Sequence, residues 1–331
     1  MSWRNRVDTS EMTRPKLTVV LATHNGVRWL PDLLASLAWQ TLPPARLLVL
    51  DDASTDDTWA LVRDTAAPGR QTVVSRLETN EGAIQTFERL LSSVETEYFA
   101  LCDQDDVWLP DKLERSVRLL ELSGADLVYT DLEVVDEDLH ELTPSMWQFS
   151  HMVPVAGRPM IPLILKNCVT GCSVVGKTSI LTKALPFPPG IPMHDGWLAL
   201  VAACGAGIAP LHEATILYRQ HGNNEIGAVR FGYRGLRSML DRKGTRLRTY
   251  LQDRLDGRLA LIDGLQGRGL MSKHAFLAWF YRQKSIVRFV LNPVYLVYTA
   301  THAGVVGFRS LAVDWMLTCL PLGSSKRVVK P

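Results

Sequence analysis

The 331-residue chain lacks the marks of several protein classes. Its five cysteines, Cys102, Cys168, Cys172, Cys204 and Cys319, are odd in number and form no C-x-x-C pair. Cys168 and Cys172 have no His or Cys cluster beside them to complete a zinc site. A disulfide framework is excluded, and reduced, buried thiols are expected. The first 16 residues carry Arg4, Arg6, Asp8 and Glu11 and no apolar core, so no secretory leader is expected there. There is no internal repeat and no low-complexity tract. Residues 286–308 are long enough for a bilayer, but Arg288, Asn292, Pro293 and His302 interrupt them, so spanning is not expected. At 47% hydrophobic and 21% charged residues, the chain is composed as a folded protein able to bury a large core.

The net charge of +2 hides a division. Residues 226–331 hold 18 Lys+Arg and 5 Asp+Glu, a net of +13, which leaves 18 and 29, a net of −11, in residues 1–225. An acidic body suits a metal site, and a basic tail suits an anionic surface such as the inner membrane leaflet. Nucleic acid would also meet the charge, but no reader motif accompanies it and none is expected to bind.

The first half alternates β-rich runs with helical periodicity. Strands are predicted at 17–23 (LTVVLAT), 46–51 (RLLVLD), 71–77, 98–102 (YFALC) and 126–130. Helices are predicted over 27–40, after the 54–57 turn, over 82–94 and from Pro110 to Leu122. This order predicts an α/β fold with a parallel sheet, whose ligands bind beyond the carboxyl ends of the strands. Residues 132–192 are irregular, 194–204 read as a buried helix and 214–220 as a strand. The long basic region after Gly227 reads as helical.

Asp103, Asp105 and Asp106 crowd three carboxylates onto a predicted strand end. Left unpaired they repel one another, and a cation between them relieves the repulsion. Oxygen donors select Mg²⁺ or Mn²⁺, which would neutralise a leaving diphosphate. The alternative is a solvated acidic loop. Asp52, at the end of the second strand, can accept the N3–H of uracil or thymine, or it can cap its own turn.

Taken in order, the segments at 17–26 (LTVVLATHNG), 47–58 (LLVLDDASTDDT), 80–82 (NEG), 98–113 (YFALCDQDDVWLPDKL), 167–176 (NCVTGCSVVG), 194–197 (HDGW) and 217–223 (LYRQHGN) resemble the family 2 glycosyltransferases. CDQDDVW and HDGW are most similar to the bacterial rhamnosyltransferase-like branch. The resemblance implies the GT-A fold, a Rossmann-like nucleotide-binding sheet merged with an acceptor-binding half. It implies that Thr23 lines the nucleotide pocket, Asp52 meets the base, and Asp103 lies near ribose and metal. Asp105 would ligate the metal, with Asp106 assisting or structural. His221 would touch metal or diphosphate, and Arg219 could pair with a phosphate or form a structural ion pair. The processive members' Q-x-x-R-W signature is absent, which implies addition of one sugar or a few.

Asp195 is the expected general base. Inverting transfer needs one carboxylate to take the acceptor proton. A helix N-terminus before the apolar run 197–203 would keep Asp195 ionised; a plain N-cap is the alternative. His194 is expected to shape the site as its neighbour.

The expected organisation is a tail at 1–15, a GT-A domain at 16–226 and a basic helical, membrane-associating region at 227–331. The domain divides into a donor half (16–131) and an acceptor half (132–226). The region after 227 could instead pack on the core or form a homo-oligomer. The expected partners are a dTDP- or UDP-sugar, a lipid-linked glycan acceptor and the inner face of the plasma membrane, where the enzyme would sit as a cytoplasmic, peripheral protein. A nucleotidyltransferase, or a non-catalytic scaffold with this fold, are the competing readings. The first lacks its Gly-rich basic loop here, and the second would not need the carboxylates.

Overall fold

The structure, a computed structural model, describes residues 16–65, 72–222, 245–271 and 280–282. The apolar segment 286–308 and the tail 1–15 lie outside the described residues. No helix among the described residues is long and apolar enough to cross a membrane.

Among the described residues, nine strands form one sheet. The first four are β1 (Leu17–Thr23), β2 (Arg46–Asp51), β3 (Thr72–Arg76) and β4 (Tyr98–Cys102). They pair in parallel in the spatial order β3-β2-β1-β4, as the alternating pattern requires. The crossover helices are α1 (Leu30–Ala38), α2 (Thr58–Thr65) and α3 (Ala83–Ser92). α1 turns Leu30, Leu33 and Leu37 inward, which sets its register on the sheet. α4 (Lys112–Ser123) ends at Gly124, whose left-handed φ of 69° lets its N–H cap the Leu120 carbonyl.

Beyond β4 the sheet departs from the simple parallel expectation. β8 (Val175–Lys177) runs antiparallel between β4 and β6 (Leu127–Val135). β6 then pairs in parallel with β9 (Ile208–Arg219), and the two-residue β5 (Val107–Trp108) closes that edge against Ile216 and Leu217. β7 (Glu141–Thr143) pairs with β6. Strands of two or three residues carry too little periodicity to be read from sequence. β5 has a functional consequence: it stretches the acidic loop 103–106 from β4 across to the end of β9.

Successive β1 residues point to opposite faces, so Val20 joins one core while Val19 and Leu21 join the other. α8 (His194–Cys204) is apolar all round from Trp197 to Ala203 and is correspondingly buried. It lies in the first core with α3 and the short α6 (Met160–Leu165). α5 (Met146–Phe149) and α7 (Leu181–Ala184) complete this half.

The region after 227 reads from sequence as basic, helical and membrane-associating, with packing on the core as the alternative; within it, α9 (Thr245–Gly267) is built into the core. Leu255, Leu261, Ile262 and Leu265 join the cluster around α8. Gly257 and Gly264, seven residues apart, lie so close to Pro192 and Pro188 that a Cβ would come within 2.6 and 2.5 Å of those rings. Arg258, almost fully buried, donates to the Leu165 carbonyl (2.7 Å) and the Tyr281 hydroxyl (2.9 Å). Arg254 reaches the same carbonyl at 3.2 Å. Two cations thus cap the C-terminus of α6, where the helix dipole favours them.

Arg258→Met should therefore lower the stability of the whole domain by roughly 2–4 kcal/mol, because charged hydrogen bonds in a buried place are lost. Urea unfolding measures this. An unchanged midpoint would show that α9 is an appendage.

Candidate active site

β1, β2 and β4 are adjacent and parallel, so their carboxyl ends meet along one edge. There they open onto a cavity of about 750 Å³. Seven of the residues singled out from the sequence line it: Thr23, Asp52, Asp103, Asp105, His194, Asp195 and His221. Asp106 does not; it is fully buried and absent from the cavity wall.

The β2 end is anchored by Asp51, which is fully buried. Its carboxylate accepts from the Thr23 hydroxyl (3.1 Å) and the Ser54 N–H (3.0 Å), and Arg76 lies 3.2 Å away. Asp52 turns to the next loop, accepting the N–H groups of Glu81 (2.7 Å) and Gly82 (2.8 Å). This is a different use from capping its own turn: it fixes the Asn80-Glu81-Gly82 segment to the strand end. Each carboxylate oxygen keeps a second lone pair for a ligand. Asn25 (φ 49°) and Ala53 (φ 55°), just past β1 and β2, hold left-handed backbone at this rim, where such strain accompanies function.

The acidic loop is clamped at both ends. Gln104 pairs its amide with the His24 backbone, accepting the N–H and donating to the carbonyl, both at 2.8 Å. Arg219 donates to the Asp105 carbonyl (3.0 Å), the Glu137 carbonyl (2.6 Å) and Asp32 (2.8 Å). Its side chain is buried, with the guanidinium 4.6 Å from the Trp29 ring. Arg219 is thus a structural tie, the second of its two sequence readings. Trp29 also stacks on His221 at 5.0 Å between centroids, and His221 Nε2 lies 2.9 Å from Asp105 Oδ2.

Burial, then the charges of Asp105 and Asp103, push the Asp106 carboxyl well above the usual carboxylate range. It lies by the Cys172 thiol, which is raised by burial and by Asp106. Lys112, fully buried 3.7 Å from the Trp108 ring, is lowered to about 8 by burial. Asp106 therefore sits in a desolvated cluster, apart from its cavity-facing neighbours.

Asp103 and Asp105 line the cavity and offer the oxygens a hard divalent cation prefers, and His221 Nε2 lies 2.9 Å from Asp105 Oδ2, but among the described residues these three do not bring ligand atoms together as one close set. The deeper trio of Asp103, Asp106 and Cys172 brings ligand atoms within 4.8 Å of one another. Its neutral thiol is a soft donor and suits Mg²⁺ or Mn²⁺ poorly.

Asp195 lines the same cavity from the first turn of α8. Its Oδ1 accepts from Asn167 Nδ2 (3.0 Å) and the Gly196 N–H. Burial raises Asp195 to about 7, although the N–H groups of Gly196 and Gly171 and the Asn167 amide pull the other way. The helix terminus was expected to keep Asp195 ionised; desolvation outweighs it and poises the group near neutrality. Asn167 had no role assigned from sequence, and its place in NCVTG was the available signal. It directly follows Lys166 and Leu165, the carbonyl that α9 caps. Nothing in local sequence joined α9 to this site.

A cavity at the strand ends lined by Asp52, Asp103, Asp105 and Asp195 fits a sugar-transferring enzyme of the GT-A fold. Comparison with known proteins supports this. Residues 18–181 match the model for glycosyl transferase family 2. The chain is 26% identical over 225 residues to the dTDP-rhamnosyl transferase RfbG of Shigella flexneri, across 63% of this chain and 74% of that protein. The crystal structure of S. aureus TarS 1–349 superposes with a TM-score of 0.53 at 17% identity, covering 77% of this chain and 88% of that one. The structure of TarS 1–349 in complex with UDP-GlcNAc gives 0.52 at 18% identity, covering 90% of this chain and 83% of that one. The chain is a glycosyltransferase, and it belongs to family 2.

Asp195, held protonated to about pH 7 in the fold but losing its proton near 3.8 when unfolded, sets a pH signature. Folding binds the extra proton, so the contribution of Asp195 to ligand-free stability falls from about pH 4 to pH 7 and is then level, by up to roughly 4 kcal/mol. It is read as the difference between native protein and variant, because buried His194, lowered to about 3, contributes with the opposite sign. Asp195→Asn should remove that slope in denaturant titrations at several pH values. The same slope in the variant would locate the proton elsewhere.

Proposed function

We propose that the enzyme transfers a sugar, with inversion, from a nucleoside diphosphate sugar to a hydroxyl of a lipid-linked or cell-surface glycan. The observation that carries this is the convergence of Asp52, Asp103, Asp105 and Asp195 on one cavity. The donor is dTDP-rhamnose or a UDP-hexose, in keeping with the name of the Shigella relative. Thr23 and Asp52 border the base, and Asp103 lies by ribose and diphosphate. Asp105, with His221, holds Mg²⁺ or Mn²⁺, and Asp106 supports the loop from within. The cation supplies positive charge for the departing diphosphate.

Asp195 takes the proton of the acceptor hydroxyl. The oxygen's electron pair forms the new bond to the anomeric carbon, while the bond from that carbon to the diphosphate oxygen breaks and its pair leaves with the nucleoside diphosphate. A base ionising near 7 matches this work at neutral pH. Transfer is non-processive. The cavity wall also includes Phe87, Met146, Met152 and Met193, an apolar side that suits a lipid-linked acceptor. The net +13 of residues 226–331 draws the enzyme to the anionic cytoplasmic leaflet as a peripheral protein.

Titration calorimetry with UDP and dTDP should show binding that requires Mn²⁺ or Mg²⁺ and is lost in Asp105→Ala. Asp195→Asn should bind donor normally and lose at least about 10²-fold in transfer. Absence of nucleotide binding by the native protein would overturn the donor assignment, and retained transfer in Asp195→Asn would overturn the base. Triple replacement of Lys326, Arg327 and Lys330 by Gln in the full chain should weaken flotation with phosphatidylserine vesicles. Equal flotation would remove those residues from the membrane contact.

A further inference from the structure

His194 is the largest unexplained polar group in the cavity. The residue is 4% exposed and lines the cavity, yet neither ring nitrogen has a hydrogen-bond partner among the described residues. Its ring lies against Phe87, 4.2 Å between centroids and 23° between planes, so its orientation is fixed by packing. Buried polar atoms without partners destabilise a fold and are uncommon unless something else engages them.

The position of Gly171 shows where that partner would lie. A Cβ on Gly171 would stand 3.3 Å from His194 Nε2 and 3.8 Å from Asp195 Oδ2. Both atoms therefore flank the same point beside Gly171, where a larger side chain would crowd them. An atom there with both a proton to give and a lone pair to offer would satisfy both neighbours. A sugar hydroxyl is such an atom.

We propose that the acceptor hydroxyl seats over Gly171, donating its proton to Asp195 and accepting a hydrogen bond from His194, which makes His194 an acceptor-positioning residue. This rests on the transferase reading given above. His194 is not a second base: burial lowers it to about 3, so its imidazole stays neutral and draws a proton far less well than Asp195. With Nε2 protonated, Nδ1 is an acceptor, free for a second hydroxyl on the same ring.

The test compares the native full chain with His194→Leu and His194→Asn, using octyl glycosides of glucose, galactose, mannose, N-acetylglucosamine and rhamnose as acceptors. Without ligand, His194→Leu should raise Tm by a few degrees, because an unpaired polar ring leaves the core; a fall would overturn the proposal. With the best octyl glycoside, His194→Leu should lose at least tenfold in kcat/KM for acceptor. Affinity for UDP or dTDP with Mn²⁺ should stay within twofold. His194→Asn, which keeps a donor and an acceptor, should recover part of the loss. Unchanged acceptor kcat/KM, or a loss confined to the donor KM, would overturn the inference alone. Failure of the native protein to bind any nucleotide would instead overturn the proposed function.

Discussion

Carboxylates gathered on one cleft repel each other and resist burial, and the site depends on the donors that hold them in place. The chain supplies these donors differently for each acid. Backbone N–H groups of Glu81 and Gly82 hold Asp52. Asn167 and the first turn of α8 hold Asp195. Arg219, through the Asp105 carbonyl, and Gln104, through the His24 backbone, pin the acidic loop. The cavity-facing acids are thus fixed in position yet keep lone pairs for a cation, a base or a hydroxyl.

The sheet provides the common edge, but the surroundings of Asp195 are assembled from distant sequence. α9 caps α6 at Leu165, the chain then passes through Lys166 to Asn167, and Asn167 grips Asp195. The glycine faces of α9 also press on Pro188 and Pro192, just ahead of His194 and Asp195. α9 is therefore tied to the segments that hold Asp195. Any membrane contact made by the basic region would act on an element already joined to those segments.

Much of the donor half was legible in the sequence, because long strands such as LTVVLAT and RLLVLD and the helices between them carry strong periodicity. Leu17–Thr23 and Arg46–Asp51 form as read. The resemblance carried by the ordered signatures also singled out residues that line the cavity, among them Thr23, Asp52, Asp103, Asp105, Asp195 and His221. What was not legible depends on long-range pairing. β5 and β8 are too short to show a period, and they exist because β9, β4 and β6 offer them edges. The separation of Asp106 from Asp105 turns on one peptide's orientation, which composition does not encode. Burial of Asp195 on all sides, which reverses the effect expected of its helix terminus, is likewise a tertiary fact.

The central claim is that a single carboxylate works opposite a diphosphate held at the strand ends. Its most direct test is stereochemical and needs no knowledge of the acceptor. Proton NMR can identify the first anomer released when the enzyme hydrolyses its nucleotide sugar, before mutarotation. The account predicts the anomer opposite to that of the donor; release of the same anomer would contradict it.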